Sequence, residues 1–186
     1  PCWVSWPSGG TDNATINVKI DPVDDEPLLI KINDTSIANS VEYYGGAFQN
    51  SSITATLNNN NTQLQLEGNG WKHLDITGYQ VTENTMLRFD FAGNGMGEIQ
   101  GIGFDNDNTI DNLNDSEHFF QVDGSQNWSL KDLDQYILGS ADGYTQYDIP
   151  VGNFLTGEFD FLTIANDHDV ANPTAVAQFQ NIELNG

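Results

Sequence analysis

Short runs of alternating apolar and polar residues, each cut off by a cluster of Gly, Asn, Asp or Pro, recur along this chain and leave little room for helix. Leu64-Gln-Leu-Glu, Met86-Leu-Arg-Phe-Asp-Phe and Phe159-Asp-Phe-Leu-Thr-Ile each put their apolar side chains on one face of a period-two ribbon. Asn58-Asn-Asn-Asn-Thr, Glu67-Gly-Asn-Gly, Ala92-Gly-Asn-Gly and Asp123-Gly-Ser supply turns between such runs. The pattern predicts strands over 41–48, 53–57, 63–67, 72–76, 86–92, 98–105, 117–122, 145–150, 158–164 and 176–184. About ten short strands at this spacing predict an all-β fold, an antiparallel β-sandwich of jelly-roll type. One helical turn is expected over 129–136, with Ser129 as its N-cap. Phe89, Phe91, Phe104, Phe159 and Phe161 are expected to fill the core, and so is Trp71.

The first 38 residues have another texture. Ala14–Asp21 alternates as a strand, Pro22-Val-Asp-Asp-Glu-Pro stops it, Leu28–Ile32 is a further short strand, and Asn33–Ser40 reads as linker. We divide the chain into a short extended N-terminal segment, residues 1–38, read as the remnant of a preceding module, and a sandwich over 39–186.

Charge narrows the partners. Twenty-seven acids stand against five bases, a net −22. Nucleic acid and anionic membrane surfaces are excluded, because both are held by clustered Lys and Arg. Uronate-rich or sulfated polysaccharides would be repelled at low salt. In salty water the Debye length falls to roughly 3–4 Å, so such a charge costs little and aids solubility. We therefore expect a secreted, extracellular protein. Cys2 is the single cysteine, so no internal disulfide is possible.

Eight phrases carry a resemblance when read in order: Val41-Glu-Tyr-Tyr-Gly-Gly, Leu64-Gln-Leu-Glu-Gly-Asn-Gly-Trp-Lys, Met86-Leu-Arg-Phe-Asp-Phe, Gly97-Glu-Ile-Gln-Gly-Ile-Gly-Phe-Asp, Phe120-Gln-Val-Asp-Gly-Ser-Gln-Asn-Trp, Tyr147-Asp-Ile-Pro-Val-Gly, Phe161-Leu-Thr-Ile-Ala-Asn-Asp-His-Asp and Phe179-Gln-Asn-Ile-Glu-Leu. The series resembles the non-catalytic carbohydrate-binding β-sandwich modules of polysaccharide-degrading enzymes secreted by marine bacteria. Residues 14–27 resemble the closing strand and linker of a cadherin-like or immunoglobulin-like repeat. These resemblances imply a larger parent chain with covalently linked neighbouring modules, and a polysaccharide partner.

The candidate ligand residues fit that chemistry. Trp128 offers an aromatic ring that can stack on the apolar face of a pyranose, and Tyr43, Tyr44, Tyr136 and Tyr144 each add a hydroxyl to such a face. Gln126, Asn127, Gln121 and Arg88 offer hydrogen bonds to sugar hydroxyls. The competing readings are core packing for the rings and an outer-face salt bridge for Arg88.

Asp105-Asn-Asp-Asn and Asn166-Asp-His-Asp each follow a strand with carboxylates at alternate positions. Set at one end of a sandwich, Asp105, Asp107, Asp167 and Asp169 would suit a structural calcium, which takes six to eight oxygens. The competing reading is solvated turn acids.

No nucleophile elbow, zinc-protease helix or phosphate loop is present, so no enzymatic activity is expected. The expectation is a neutral glycan, agarose, xylan or a β-glucan; the alternative is a calcium-stabilised adhesion or spacer domain of a bacterial surface protein.

Overall fold

The computed structural model describes residues 27–45, 52–110 and 115–186. The strand expected over 14–21, with Cys2, Trp3 and Trp6, lies outside the described residues. Among those described, the strands are β1 (Leu28–Ile32), β2 (Thr35–Asn39), β3 (Glu42–Tyr44), β4 (Ser52–Asn58), β5 (Gln63–Val81), β6 (Met86–Gly93), β7 (Ile99–Asp105), β8 (Phe119–Asp123), β9 (Ile137–Ala141), β10 (Tyr144–Pro150), β11 (Gly157–Asp167) and β12 (Val176–Asn185).

They form the two layers of an antiparallel β-sandwich, as the alternation predicts. One sheet runs β9-β10-β6-β12. The far edge of β12 then takes the first part of β5, with β4 outside it, and the parallel strand β1, with β2 outside that. The other runs β8-β7-β11 to the second part of β5, which β3 flanks. Between the layers Phe89, Phe104, Phe120 and Phe179 are each at most 1% exposed, packed with Leu64, Leu66, Leu74 and Leu184. Each such ring contributes about 1.5–3 kcal/mol by leaving water.

β5 belongs to both sheets. Gln63–Glu67 pair with β12, and Gly70–Val81 pair with β11. The Gly-Asn-Gly run expected to be a turn is instead a corner inside one continuous 19-residue strand. Gly68 sits at φ 105°, open to glycine alone at little cost, so the ribbon pivots without ending. Asn166 of β11 fastens the corner. Its amide nitrogen donates to the carbonyls of Gly68 and Ala175 at 2.9 Å each, and its oxygen accepts from Gln100 Nε2 at 2.5 Å.

Other expectations needed correction. Asn33–Ser40 is not simply linker: β1 and β2 form a hairpin through Asn33-Asp34, both with positive φ, and Leu28 and Ile30 are buried in the core. The Ser129-capped turn does not form. A 3-10 turn spans only Asp134–Tyr136, after Asp132 at φ 62°, and Ser129 Oγ bonds Gln121 instead. β9 and the one-turn helix Asp115–His118 were not expected. Phe161 is only part-buried, 4.5 Å from the His73 ring, because the β5–β11 register shifts between Phe159 and Phe161.

Candidate functional site

The outer face of the β8-β7-β11-β5 sheet carries a second apolar cluster. Tyr44, Trp71, Ile99, Phe119 and Ala165 are buried there, with Trp128 and Ile110 packed against them. Trp71 and Ala165 are cross-strand partners, so their side chains emerge on one face. Trp71 is thus buried, as expected, but in this outer cluster and not between the sheets.

Trp128 reaches the cluster from the segment that follows β8. The chain turns at Gly124, where a β-carbon would stand 2.4 Å from the Glu98 carbonyl oxygen. Ser125 and Gln126 donate their backbone N–H groups to the carbonyls of Gly97 and Glu98, at 3.0 and 2.9 Å. The chain then loops round to run parallel beside β8 at one point, Leu130 N–H donating to Phe119 O and Gln121 N–H to Leu130 O.

Gln121, 2% exposed, holds this loop from beneath. Its amide nitrogen donates to the Gln126 carbonyl at 2.7 Å and to that of Asp123 at 3.3 Å. Its oxygen accepts from the Trp128 N–H and from Ser129 Oγ. Gln121 is therefore spent on the loop and is no free hydrogen-bonding group for a ligand.

Trp128 is half-buried and meets its neighbours edge-on, 5.4 Å from Trp71 at 81° and 5.8 Å from Phe119 at 62°. Such edge-to-face contacts fix the indole while part of it faces solvent. Gln126 and Asn127 beside it are exposed. Lys131 Nζ donates to the Gln126 carbonyl at 2.7 Å. An open cleft of about 440 Å³ adjoins the loop, lined by Asn127, Lys131, Asp132 and Asp134 among others. That volume falls within the range of small-ligand sites.

The other candidates stand elsewhere. Tyr136 packs edge-on against Phe154. Tyr144 lies on the outer face of the opposite sheet, its hydroxyl donating to Gln178 Oε1 at 2.9 Å and accepting from Gln63, in a row of amides. Arg88, on that same face, pairs with Asp148 at 2.9 Å and lies 4.0 Å from Glu183. Tyr43 is 51% exposed, but one face of its ring is covered by Lys72 Nζ, 3.4 Å from the centroid. Burial brings that ammonium down to a pKa of about 8.

Tyr44 is a correction to the sequence reading. It is 1% exposed and donates its hydroxyl to Asp105 Oδ2 at 2.8 Å, so it presents no face for stacking. Burial, with the Asp105 carboxylate beside it, holds its hydroxyl well above the ordinary phenol range.

The acid pairs need a larger correction. β7 and β11 run antiparallel, with Asp105 opposite Phe161 and Asp167 opposite Ile99. Six residues of strand separate the two levels, about 20 Å at some 3.3 Å per residue. Asp105 and Asp107 therefore cannot share an ion with Asp167 and Asp169. Asp107 caps its own turn, accepting from the Thr109 N–H at 2.8 Å and from the Thr109 hydroxyl. Asp167 and Asp169 instead meet Glu98, which sequence reasoning missed; oxygens of all three lie within 4.8 Å of one another. Burial, with Asp169 and Glu98 close by, lifts the Asp167 pKa to about 7.

No family model matches this chain, and no curated protein does. Among solved structures it is similar to two mutants of CBM29-2, a family 29 carbohydrate-binding module studied for ligand recognition. The first aligns at 12% identity over 78% of this chain and 90% of its own, with a TM-score of 0.37. The second aligns at 13% identity over 78% and 88%, with a TM-score of 0.38. Likeness at this level is too slight to carry a ligand from those modules to this chain.

Proposed function

We propose that this chain is a non-catalytic carbohydrate-binding module that tethers a larger secreted protein to a neutral polysaccharide such as agarose, xylan or a β-glucan. The observation that carries the reading is Trp128, a partly exposed indole clamped by Trp71 and Phe119 and flanked by the exposed amides of Gln126 and Asn127. A sugar ring stacks on such a platform, and the amides bond its hydroxyls. The net charge of −22 favours a neutral glycan over a uronate or sulfate polymer. A shallow site of this kind binds in the micromolar to millimolar range, about −4 to −8 kcal/mol.

Affinity electrophoresis through gels containing agarose, xylan, mixed-linkage β-glucan, laminarin, alginate or carrageenan tests it. Retardation by one neutral glycan is expected. Trp128→Ala should weaken that binding by about 1–3 kcal/mol, roughly five- to 150-fold. Tyr144→Phe, on the opposite sheet, should leave it unchanged. A Trp128→Ala protein that folds normally and binds as before sinks the platform. Retardation by no glycan at all would favour the spacer reading.

A further inference from the structure

Glu98 immediately precedes β7, Asp167 ends β11 and Asp169 follows two residues later, and the antiparallel register brings the three together. The backbone locks the arrangement. Glu98 N–H donates to Asp167 O at 2.6 Å, and Asp169 N–H donates to Glu98 Oε2 at 2.6 Å. From the β5 corner, Asn69 Nδ2 donates to Asp169 Oδ1 at 2.8 Å, and Asn69 Oδ1 accepts the His168 N–H at 2.6 Å. Two strand ends and the β5 corner thus hold three carboxylates before any ligand arrives.

A second observation separates this cluster from ordinary surface acids. Asp167 is 5% exposed; the Trp71 indole N–H lies toward its carboxylate, yet no donor meets its buried Oδ1 at full hydrogen-bonding geometry. A buried carboxylate oxygen facing two more carboxylates calls for a positive charge, from a proton or a cation. None of the described lysines, nor Arg88, supplies it. Lys31 and Arg88 pair with Glu183 and Asp148, Lys131 bonds the Gln126 carbonyl, and Lys72 lies over Tyr43. His168 Nδ1 accepts the N–H groups of Thr174 and Ala175, so that side of its ring is already occupied.

We propose that Glu98, Asp167 and Asp169 bind a hard divalent cation of the calcium class. All three donors are carboxylate oxygens, whose spacing suits ligands around one ion, and water completes a coordination shell of six to eight. The ion ties the β5 corner, the start of β7 and the end of β11 into one unit. It also sits beside the Trp71 indole, which contacts Trp128. The site stands whatever Trp128 binds.

Terbium titration of chelator-treated protein reads it directly, because Trp71 beside the ion sensitises lanthanide emission. Saturable emission from one ion per chain, displaced by calcium, is expected, together with a calcium-dependent rise in Tm. Asp167→Asn and Glu98→Gln, checked for folding by circular dichroism, should each weaken the ion by at least about tenfold, the loss typical even of an outer-shell partner. Asp107→Asn, about 20 Å away along the strands, should change neither readout. The proposal fails if no saturable emission appears, if both cluster variants bind as the wild type does, or if Asp107→Asn is the variant that abolishes binding. Glu98 is partly exposed, so its variant keeps the test decisive even if Asp167→Asn misfolds.

Discussion

Asn166→Asp exchanges one nitrogen for one oxygen at the β5 corner and leaves no cavity, so its effect isolates the polar bonds there. In the wild type the Asn166 amide nitrogen donates to Gly68 O and Ala175 O, and the residue is 0% exposed. In the variant both contacts set a carboxylate oxygen against a carbonyl oxygen inside the fold. Only the bond from Gln100 Nε2 survives. Two lost bonds at about 1 kcal/mol each, plus the cost of an unpaired buried acceptor, give a loss of about 3–5 kcal/mol at pH 7. With a urea m-value of about 2 kcal/mol per molar, the unfolding midpoint should fall by roughly 2 M. The sign with pH follows from the new carboxyl. Burial raises its folded pKa above the unfolded value, so the penalty is full above the folded pKa and fades as pH falls to about 4. Urea melts of wild type and variant at pH 7 and pH 4 measure both effects. A midpoint within about 0.4 M of wild type at pH 7, less than 1 kcal/mol at that m-value, would refute the stapling role. So would a deficit that grows on acidification.

Lys72→Met should stabilise the protein at pH 7 by about 1–3 kcal/mol, since the lysine's lowered pKa means that folding penalises its charge, partly offset by the Tyr43 ring. Below about pH 8 the folded and unfolded lysine are both charged and the penalty is constant; above it the folded lysine sheds its proton first and the wild type gains stability. The gap between the two urea midpoints should therefore shrink from pH 8 to 9.5, and a gap that stays constant would contradict the assignment. Gln121→Leu should cost about 2–4 kcal/mol and release the Trp128 loop. Hydrogen exchange should then accelerate over 124–130 while β10 keeps its protection.

Much of the architecture was legible because alternation is a local signal. Phe89, Phe91, Phe104 and Phe159 enter the core as their positions in alternating runs require. The β1–β2 hairpin also left a readable trace, the apolar run Leu28–Ile32 followed by Asn33-Asp34, a dipeptide that tolerates the left-handed region. The corner in β5 left none. Gly-Asn-Gly has the chemistry of a turn, and only the tertiary bonds from Asn166 make it a pivot. The acid cluster shows the same limit. Spacing at i and i+2 identified Asp167 and Asp169, but Glu98 stands alone in the sequence and joins them only through the β7–β11 register. Pairing the start of one strand with the end of its antiparallel neighbour would have found it.

The strand shared by both sheets imposes something like a reading frame on the fold. Leu64 and Leu66 before the corner and Leu74 and Ile76 after it occupy even positions, and all four point into the core. Adding or deleting one residue between 67 and 71 would turn one layer inside out relative to the other, moving Trp71 inward and Leu74 to the surface. A change of two residues would keep the phase. Length variation at this corner is therefore expected in even steps, whereas the turn at Asn59–Thr62, which leads into β5 from β4, faces no such arithmetic.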